Sequence, residues 1–209
     1  MIEQAPILIT GIPRSGTSMI AATINICGAF GGEMSKRGMY SNDRIREELV
    51  KLRLDMIKVK LDYIPINWGN EVEMIMELEG YKDGPWMYKD SNSALIWRTW
   101  NYAYPNAKWI IVRRRTGDII QSCMKTMYMS EYSDEVGWLE MVHRYEEKFI
   151  EMITEGLNCK IIWPERMVQG DYQQIHEVCD WLGLIWTDKA LNYINPLLWG
   201  GKRKRKEQK

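Results

Sequence analysis

A glycine-rich segment near the amino terminus has the residue types and spacing of a phosphate-binding loop. Gly11 and Gly16 lie five residues apart in the segment GIPRSGTS, between the short apolar run Pro6–Gly11 and a helix-length pattern at Thr17–Cys27. At such a strand–loop–helix junction, backbone N–H groups can surround a phosphate at the helix N-terminus. We therefore expect an anion to bind here. A turn that needs glycine only for its geometry is the alternative interpretation.

The loop lacks two features of a nucleoside triphosphatase site. A G-x-x-x-x-G-K-[ST] loop places its lysine on the terminal phosphates and its hydroxyl on magnesium. Here Thr17 occupies the lysine position, and Arg14 is the cation of the loop. The predicted strand Lys108–Val112 leads into three arginines instead of an aspartate that could organise magnesium. The sequence thus predicts an anion site that works without a metal.

Those three arginines form a second cationic cluster. They follow a strand and precede a helix predicted from about Thr116 to Met127, so that Ser122 lies two turns into the helix and eight residues beyond Arg114. A guanidinium at a strand end and a hydroxyl in the next helix can converge on a second phosphate. Taken alone, consecutive arginines are also typical of a solvated turn.

Together the two motifs resemble those of sulfotransferases that use 3′-phosphoadenosine 5′-phosphosulfate (PAPS). The 5′-phosphosulfate loop of that family reads P-[RK]-S-G-T-[TS], and residues 13–18 match it at every position. The family's 3′-phosphate motif commonly reads R-x-P-x-D-x-x-x-S; Arg114, Asp118 and Ser122 match it, with Thr116 in place of proline. The resemblance covers about residues 5–185. It implies that PAPS is bound by Arg14, Ser15, Gly16, Thr17, Ser18, Arg114 and Ser122.

Further segments resemble the tyrosylprotein (Golgi-type) and bacterial members of this family. Lys89, in the segment YKDS, corresponds to the family's second catalytic cation, and residues 104–109 are similar to its F-P-N-A-K-F strand entry. Trp163, at the end of a later strand, is a candidate for the adenine pocket, with an ordinary core position as the alternative. The R-K-G-x-x-G element that completes the 3′-phosphate site in cytosolic members is not visible. Residues 200–203 are a candidate replacement, although a solvated tail is favoured there.

The resemblance implies in-line, metal-independent transfer of a sulfuryl group from PAPS to a hydroxyl or amine acceptor. By analogy with phosphoryl transfer, positioning and charge stabilisation should dominate. Arg14 and Lys89, with the N–H groups of residues 15–18, are the expected stabilisers of the developing negative charge.

Two carboxylates are candidates for the base that accepts the acceptor's proton. Glu33 lies soon after the first helix, close to where Golgi-type members have the glutamate of a G-E segment, and it is the preferred candidate; a solvated loop carboxylate is the alternative. Asp90 is the second, and it could equally cap the following helix or orient Lys89. His143 and His176 fall within helical patterns and are expected to be surface or structural residues.

Strands that alternate with helices predict a three-layer α/β fold, with a mainly parallel sheet flanked by helices and the topology of P-loop kinases. The predicted strands are 6–11, 86–88, 108–112 and 160–163. Asn42, Ser91 or Ser93, and Ser133 are predicted helix caps, and Gly183 a helix stop. The segment 62–84 gives no clear pattern.

Composition predicts one globular domain over residues 1–199 and a basic tail at 200–209. The chain has 209 residues, of which 45% are hydrophobic and 27% charged. The last eight residues carry six basic side chains and one glutamate, so the other 201, with 22 basic and 27 acidic side chains, carry a net charge of −5. An acidic body argues against a broad nucleic-acid-binding face.

Other features predict a reduced, cytoplasmic protein. The amino terminus lacks the pattern of a signal peptide, and no apolar stretch predicts a membrane span. The four cysteines lie far apart in the sequence, which disfavours a zinc site and disulfides.

Two other functions remain open at this stage. One is a small nucleotide or metabolite kinase with a degenerate loop, which would need ATP and magnesium; the other is a non-catalytic nucleotide-binding module. A peptide, a saccharide and a small molecule are all compatible acceptors, and the oligomeric state is open.

Overall fold

A sheet of four parallel strands forms the centre of the fold. The computed structural model describes residues 4–35, 39–51 and 64–194. In that part of the chain the strand order is β2-β1-β3-β4. The strands are β1 (Ile7–Gly11), β2 (Met87–Lys89), β3 (Lys108–Val112) and β4 (Cys159–Ile162). Because β1 and most of β3 are buried, these strands are continuous apolar runs, as expected for a parallel sheet covered on both faces.

Helices cover both faces of the sheet. They are α1 (Thr17–Ile26), α2 (Asp43–Lys51), α3 (Trp68–Leu78), α4 (Trp97–Ala103), α5 (Thr116–Met124), α6 (Glu135–Thr154), α7 (Pro164–Val168) and α8 (Gln173–Leu182), with 3-10 helices at Ser91–Ala94 and Asp188–Tyr193. Among the described helices, none has the length and apolar character needed to cross a bilayer.

Successive side chains of β1 point to opposite faces of the sheet, and each face has its own apolar cluster. Ile7 and Ile9 belong to one apolar cluster together with Ile20 of α1 and Ile175 of α8. Leu8 points to the other face, into a second cluster built largely from aromatic side chains of α3, α4 and α6. The predicted three-layer α/β architecture with a parallel sheet is confirmed.

The helices that follow β1 and β3 lie on opposite faces of the sheet. Ile20 of α1 packs in one cluster, and Ile119 of α5 packs in the other. The two strands are neighbours, with Gly11 paired to Val112. When adjacent parallel strands send their helices to opposite faces, a crevice opens at their carboxyl ends. Both predicted anion motifs begin at this crevice.

Two helix caps predicted on serines are wrong, because a neighbouring aspartate caps each helix. Asp90, not Ser91 or Ser93, caps the 3-10 helix by accepting a hydrogen bond from the Asn92 N–H, and Asp134, not Ser133, caps α6 through the Gly137 N–H. In each case an aspartate lies next to a predicted serine, and an aspartate oxygen is as good an acceptor for a helix N-terminal N–H group as a serine hydroxyl. The Asn42 cap of α2 and the Gly183 stop of α8 are confirmed.

The segment without a clear sequence pattern contains α3. Its helix is held by packing, since Trp68, Val72 and Met76 are buried against the aromatic cluster. Leu52, Met56 and Val59 continue the helical spacing of the apolar positions Ile45 and Leu49, which predicts a longer α2, but they lie outside the described residues, as does the basic tail.

Gly11 occupies a position that has no room for a side chain. A Cβ there would lie 2.6 Å from the Val112 carbonyl oxygen and 2.7 Å from Ser15 Oγ. We predict that Gly11→Ala lowers the free energy of unfolding by about 1 to 3 kcal/mol, because the neighbouring strand must move. Urea unfolding would measure this. Gly117→Ala, in the open first turn of α5, is the control and should be neutral or stabilising by up to about 1 kcal/mol. A Gly11→Ala variant as stable as the parent would contradict the argument.

Candidate active site

The first loop presents backbone donors at the start of α1. Gly16 precedes the helix in the left-handed conformation (φ 102°), and within the described structure no side chain caps this end. The Ser15 N–H donates to the Ile12 carbonyl oxygen at 2.9 Å, which removes it from the predicted anion contacts. The first N–H groups of a helix have no partner inside it. The N–H groups of Gly16, Thr17 and Ser18 are therefore the ones suited to an anion.

A buried hydroxyl strengthens the case for a ligand at this loop. Ser15 Oγ is buried and has no hydrogen-bond partner among the described residues. An unsatisfied buried hydroxyl costs about 1–3 kcal/mol unless something pairs with it. Ser18 is engaged differently, since its Oγ donates to the Met39 carbonyl oxygen at 3.0 Å. The loop thus fits an oxyanion, although nothing in it is specific for sulfate or phosphate.

The Arg14 side chain joins the loop to the second cationic motif. Its Nε donates to Ser122 Oγ at 3.0 Å, and its Nη1 donates to the Tyr128 hydroxyl at 2.9 Å. In return, Arg114 Nη1 donates to the Arg14 carbonyl oxygen at 3.0 Å. Arg14 itself has a positive φ of 72°, a conformation that non-glycine residues seldom adopt. Residues a hundred or more positions apart in the sequence therefore form one cluster.

The three consecutive arginines have three different environments. Arg113 forms an ion pair with Glu146 of α6 at 2.7 Å, and Arg115 Nε lies 3.6 Å from Asp118. Arg114 is the member that contacts the first loop. Burial lowers the pKa of the Arg114 guanidinium, and the nearby cations Arg14 and Arg115 also lower it, against the opposing effect of nearby carboxylates.

Lys89 lies at the carboxyl end of β2, on the other side of β1. It pairs with Ile9 in the sheet, and its carbonyl oxygen accepts a hydrogen bond from Ser41 Oγ at 2.8 Å. Only 7% of the residue is exposed. Burial lowers the pKa of its ammonium group to about 8, although the neighbouring Asp90 acts in the opposite direction. At neutral pH this lysine is a cation in a poorly solvated position.

Asp90 accepts hydrogen bonds from two groups of its surroundings. One carboxylate oxygen accepts from the Asn92 N–H at 3.1 Å, and the other accepts from the Tyr88 hydroxyl at 3.3 Å. Burial raises the pKa of this carboxyl, partly offset by these bonds and by Lys89. The predicted alternative role, capping the following helix, is confirmed.

Glu33 lies on a loop beside β2. A β-bridge pairs Phe30 of this loop with Trp86, the residue before β2. Glu33 lies three residues after Phe30, and Lys89 lies three residues after Trp86. The Glu33 side chain is 73% exposed, 3.8 Å from Arg44. Its backbone N–H donates at 2.7 Å to Glu79, whose side chain is fully buried.

A cavity of about 740 Å³ opens next to Glu33. Its lining combines apolar side chains with charged ones: Met34, Met39 and Val50 with Glu33, Asp43, Arg44, Arg46 and Glu47. Met39 belongs to this lining, and the segment 39–41 is hydrogen-bonded both to Ser18 of the first loop, through the Met39 carbonyl oxygen, and to Lys89, through Ser41. The cavity is thus joined by direct contacts to both ends of the candidate site.

The remaining candidates are Trp163 and the two histidines. Trp163, directly after β4, has its ring centre 5.7 Å from the Arg113 guanidinium, and its backbone N–H donates to Gln174 Oε1 at 2.8 Å. His143 and His176 are exposed on α6 and α8, as predicted. All four cysteines are free thiols. In the described ranges, no three histidine, cysteine, aspartate or glutamate side chains are grouped so as to hold a metal ion.

Sequence reasoning missed two residues of the site. Tyr128 lies in the loop after α5, where no motif or periodicity marks it, yet its hydroxyl binds Arg14. Glu79 follows α3 in the segment without a clear pattern, and its buried carboxylate holds the Glu33 N–H and the Asn42 amide. Glu71, Glu73 and Glu77 lie in the same stretch of sequence, so no local signal distinguishes Glu79 from them.

The buried charge of Lys89 should lower the free energy of unfolding. Because its folded-state pKa of about 8 lies below the ordinary 10.5, the unfolded chain binds more protons between these values, and stability should rise with pH there. Below pH 8 the ammonium group is charged in both the folded and the unfolded chain, so the full cost of burying its charge applies. We predict that Lys89→Met raises the free energy of unfolding at pH 7 by about 1 to 3 kcal/mol. Urea unfolding of the parent and the variant would measure this, and the difference between their free energies of unfolding should be smaller at pH 10 than at pH 7. A variant less stable than the parent at pH 7 would contradict the prediction and show that buried Asp90 needs the lysine cation as its partner.

Comparison with known proteins supports the sulfotransferase resemblance at the level of the fold. No protein-family model and no curated protein matches the sequence. Among solved structures, the sulfotransferase domain from the Synechococcus PCC 7002 olefin synthase has a TM-score of 0.68 at 13% identity, over 95% of this chain and 88% of that one. The sulfotransferase domain from the curacin biosynthetic pathway has a TM-score of 0.64 at 14% identity, over 93% and 79%. Sulfotransferase STF1 from Mycobacterium tuberculosis H37Rv has a TM-score of 0.58 at 13% identity, over 97% and 74%. The chain therefore has the fold of the sulfotransferases, as the resemblance of its two motifs predicted.

Proposed function

We propose that this protein is a sulfotransferase that moves a sulfuryl group from PAPS to a hydroxyl or amine acceptor. The observation that carries the proposal is the direct contact between the two predicted anion motifs, in which Arg14 binds Ser122 and Arg114 binds the Arg14 carbonyl. A donor with phosphate groups at both its 5′ and 3′ positions requires two anion sites within its own length. Motifs that faced opposite ways would have been incompatible with one such donor.

The chain offers a distinct set of groups to each end of the donor. The N–H groups of Gly16, Thr17 and Ser18, with the buried Ser15 hydroxyl, suit the 5′-phosphosulfate, because a helix N-terminus and unpaired donors favour an anion. Arg114 and Ser122 suit the 3′-phosphate and would distinguish PAPS from ATP. PAPS, when bound, supplies the sulfuryl group.

Lys89 is proposed as the side-chain cation that stabilises charge during transfer. When the sulfuryl group leaves, negative charge develops on the oxygen that linked it to the 5′-phosphate. A buried ammonium acts strongly on such a charge, because few water molecules screen it and no reorganisation is needed. Arg14 was predicted to share this task, but its guanidinium is bonded to Ser122 and Tyr128.

Glu33 is proposed as the base, and the adjoining cavity as the acceptor site. The Glu33 carboxylate is exposed and lines a cavity of about 740 Å³, a volume within the range of small-molecule sites. Asp90 already accepts two hydrogen bonds within the fold, which favours Glu33. The mixed apolar and charged lining is compatible with a small-molecule, peptide or saccharide acceptor.

Selective binding of adenosine 3′,5′-bisphosphate (PAP) tests the donor assignment. We predict that PAP at a hundred times its dissociation constant raises the melting temperature by roughly 5 to 11 °C, because it binds only the folded state. ADP and ATP should give smaller shifts, and EDTA should not alter the PAP shift. Thermal-shift measurements on the parent and on Arg114→Ala would check this. A shift by ATP that requires magnesium would favour the rival kinase function, and equal shifts by PAP and AMP would defeat the proposal.

Replacing Glu33 or Asp90 by its amide tests which carboxylate accepts the acceptor's proton. We predict that Glu33→Gln lowers the rate of sulfuryl transfer by about two to four powers of ten while leaving PAP affinity unchanged. The assay would measure transfer from radiolabelled PAPS to an acceptor. The parent protein would first be screened with 4-nitrophenol, a tyrosine peptide and N-acetylglucosamine to find the acceptor that it uses. Asp90→Asn, which keeps a capping side chain, should retain most activity, and Glu71→Gln on α3 controls for the loss of one negative charge. If Asp90→Asn is the inactive variant and Glu33→Gln is not, the assignment is reversed.

A further inference from the structure

Glu79 and Arg44 lie directly behind Glu33, the carboxylate assigned to the base. We propose that both are positioning residues for this base: the buried Glu79 carboxylate fixes the Glu33 main chain, and through Arg44 it holds the Glu33 side chain at the cavity proposed for the acceptor. The inference rests on the proposed function and deepens it, because it adds two residues that act on the reaction only through Glu33.

The Glu79 carboxylate binds the Glu33 loop directly. Its Oε2 atom accepts hydrogen bonds from the Glu33 N–H at 2.7 Å and from the Asn42 side-chain amide at 2.6 Å. Asn42 in turn caps α2 by accepting from the Ile45 N–H, and it forms a β-bridge with Met34, the residue after Glu33. Hydrogen bonds to an ionised group are shorter and stronger than those between neutral groups. One carboxylate therefore ties the Glu33 loop to the start of α2.

Gly32 allows the loop to approach this carboxylate. A Cβ on Gly32 would collide with Glu79 Oε2 and would lie 2.6 Å from the Asn42 amide nitrogen. The φ of Gly32 is 67°, a left-handed conformation that also favours glycine. A larger residue at this position would separate the carboxylate from the Glu33 N–H. The glycine that precedes the proposed base is thus explained by its contact with Glu79.

Arg44 connects the two carboxylates through different nitrogens. Its Nε lies 3.5 Å from Glu79 Oε1, and its Nη2 lies 3.8 Å from Glu33 Oε2. Glu79 Oε1 accepts no hydrogen bond among the described residues, so its contact with Arg44 is electrostatic. The Glu33 side chain is 73% exposed, and a surface ion pair is weak partly because two long side chains must be held in one geometry. The fully buried Glu79 carboxylate already restrains Arg44, which reduces that cost.

The charges of this cluster suit a group that takes up a proton. With both carboxylates ionised, Glu33 and Glu79 share the single positive charge of Arg44. During transfer the acceptor atom bonds to sulfur, the bond from sulfur to the 5′-phosphate oxygen breaks, and Glu33 takes the acceptor's proton and becomes neutral. Arg44 then keeps Glu79 as its anionic partner. Without Glu79, the same step would leave the guanidinium with no partner in the cluster.

The test compares the rate of transfer with the affinity for the donor product. The turnover number kcat with PAPS, the KM for the acceptor and the dissociation constant of PAP would be measured for the parent, Glu79→Gln and Arg44→Gln. Glu79→Gln keeps an oxygen that can accept hydrogen bonds but loses the charge that attracts Arg44. We expect it to lower kcat by roughly 10- to 100-fold, because a small displacement of a catalytic group is sufficient for such a loss. Arg44→Gln should lower kcat by roughly 2- to 5-fold, the effect of one surface ion pair. PAP affinity should stay within about twofold of the parent in both variants.

A second background shows whether the two residues act through Glu33. When combined with Glu33→Gln, each substitution should change the residual rate by less than about twofold, because the group that it positions is already lost. Hydrogen exchange provides a readout apart from activity: the Glu33 amide should exchange at least about tenfold faster in Glu79→Gln than in the parent, since its acceptor is no longer charged. Arg44→Gln decides the question if Glu79→Gln does not fold, because the Arg44 side chain is half exposed.

Two control variants remove similar charges without touching the cluster. Glu77→Gln removes a negative charge from the last turn of α3, and Lys51→Gln removes a positive charge from the end of α2; both side chains are exposed. Each should keep kcat within about twofold of the parent.

The outcomes separate this inference from the proposed function. An unchanged kcat in both Glu79→Gln and Arg44→Gln, a loss of kcat that is equally large in the Glu33→Gln background, or a parallel loss of PAP affinity overturns the inference and leaves the proposed function standing. A parent protein that transfers no sulfuryl group from PAPS overturns the proposed function and the inference with it. A Glu33→Gln variant as active as the parent overturns the assignment of the base, and with it the inference. These last two results are obtained without any change at Glu79 or Arg44.

Discussion

The pairing of β1 with β3 is the constraint on which the candidate site depends. Their register sets Gly11 beside Val112, so the loop that follows each strand begins at the same level of the sheet. The helix after β1 and the helix after β3 pack on opposite faces, and a crevice remains between the two loops. Arg14 and Ser122 meet in this crevice. Without that adjacency, two cationic motifs a hundred residues apart would be two unrelated surface features.

Several groups in the site are held in states that lower stability. Arg14 adopts a left-handed backbone conformation, Ser15 buries a hydroxyl without a partner among the described residues, and Lys89 has an ammonium group whose pKa burial lowers to about 8. Costs of this kind concentrate at functional sites and persist because the surrounding structure holds them in place. Here the support comes from two apolar clusters, one on each face of the sheet, of which one is rich in buried tryptophan.

Identical side chains acquire different roles through their neighbours. Arg113, Arg114 and Arg115 are equivalent as sequence, but one pairs with Glu146 of α6, one contacts the first loop and one pairs with Asp118 within its own turn. Successive residues beyond a strand end point in different directions, and each direction leads to a different element. The sequence could locate this cluster but could not say which arginine faces the anion; the choice of Arg114 came from resemblance to a family.

Local patterns were sufficient to predict the four strands, the two motifs and several helices, but not α3. The apolar run of β1 is typical of a strand buried on both faces, and glycine spacing predicted the loop, because Gly11 has no room for a Cβ. Long-range contacts were not predictable in this way. Tyr128 and Glu79 carry no motif, and they join the site only because folding brings them to Arg14 and Glu33. Hydrogen bonds between distant segments depend on strand order and helix placement, which no window of the sequence contains, and for that reason the orientation of Arg14 emerged only from the folded chain.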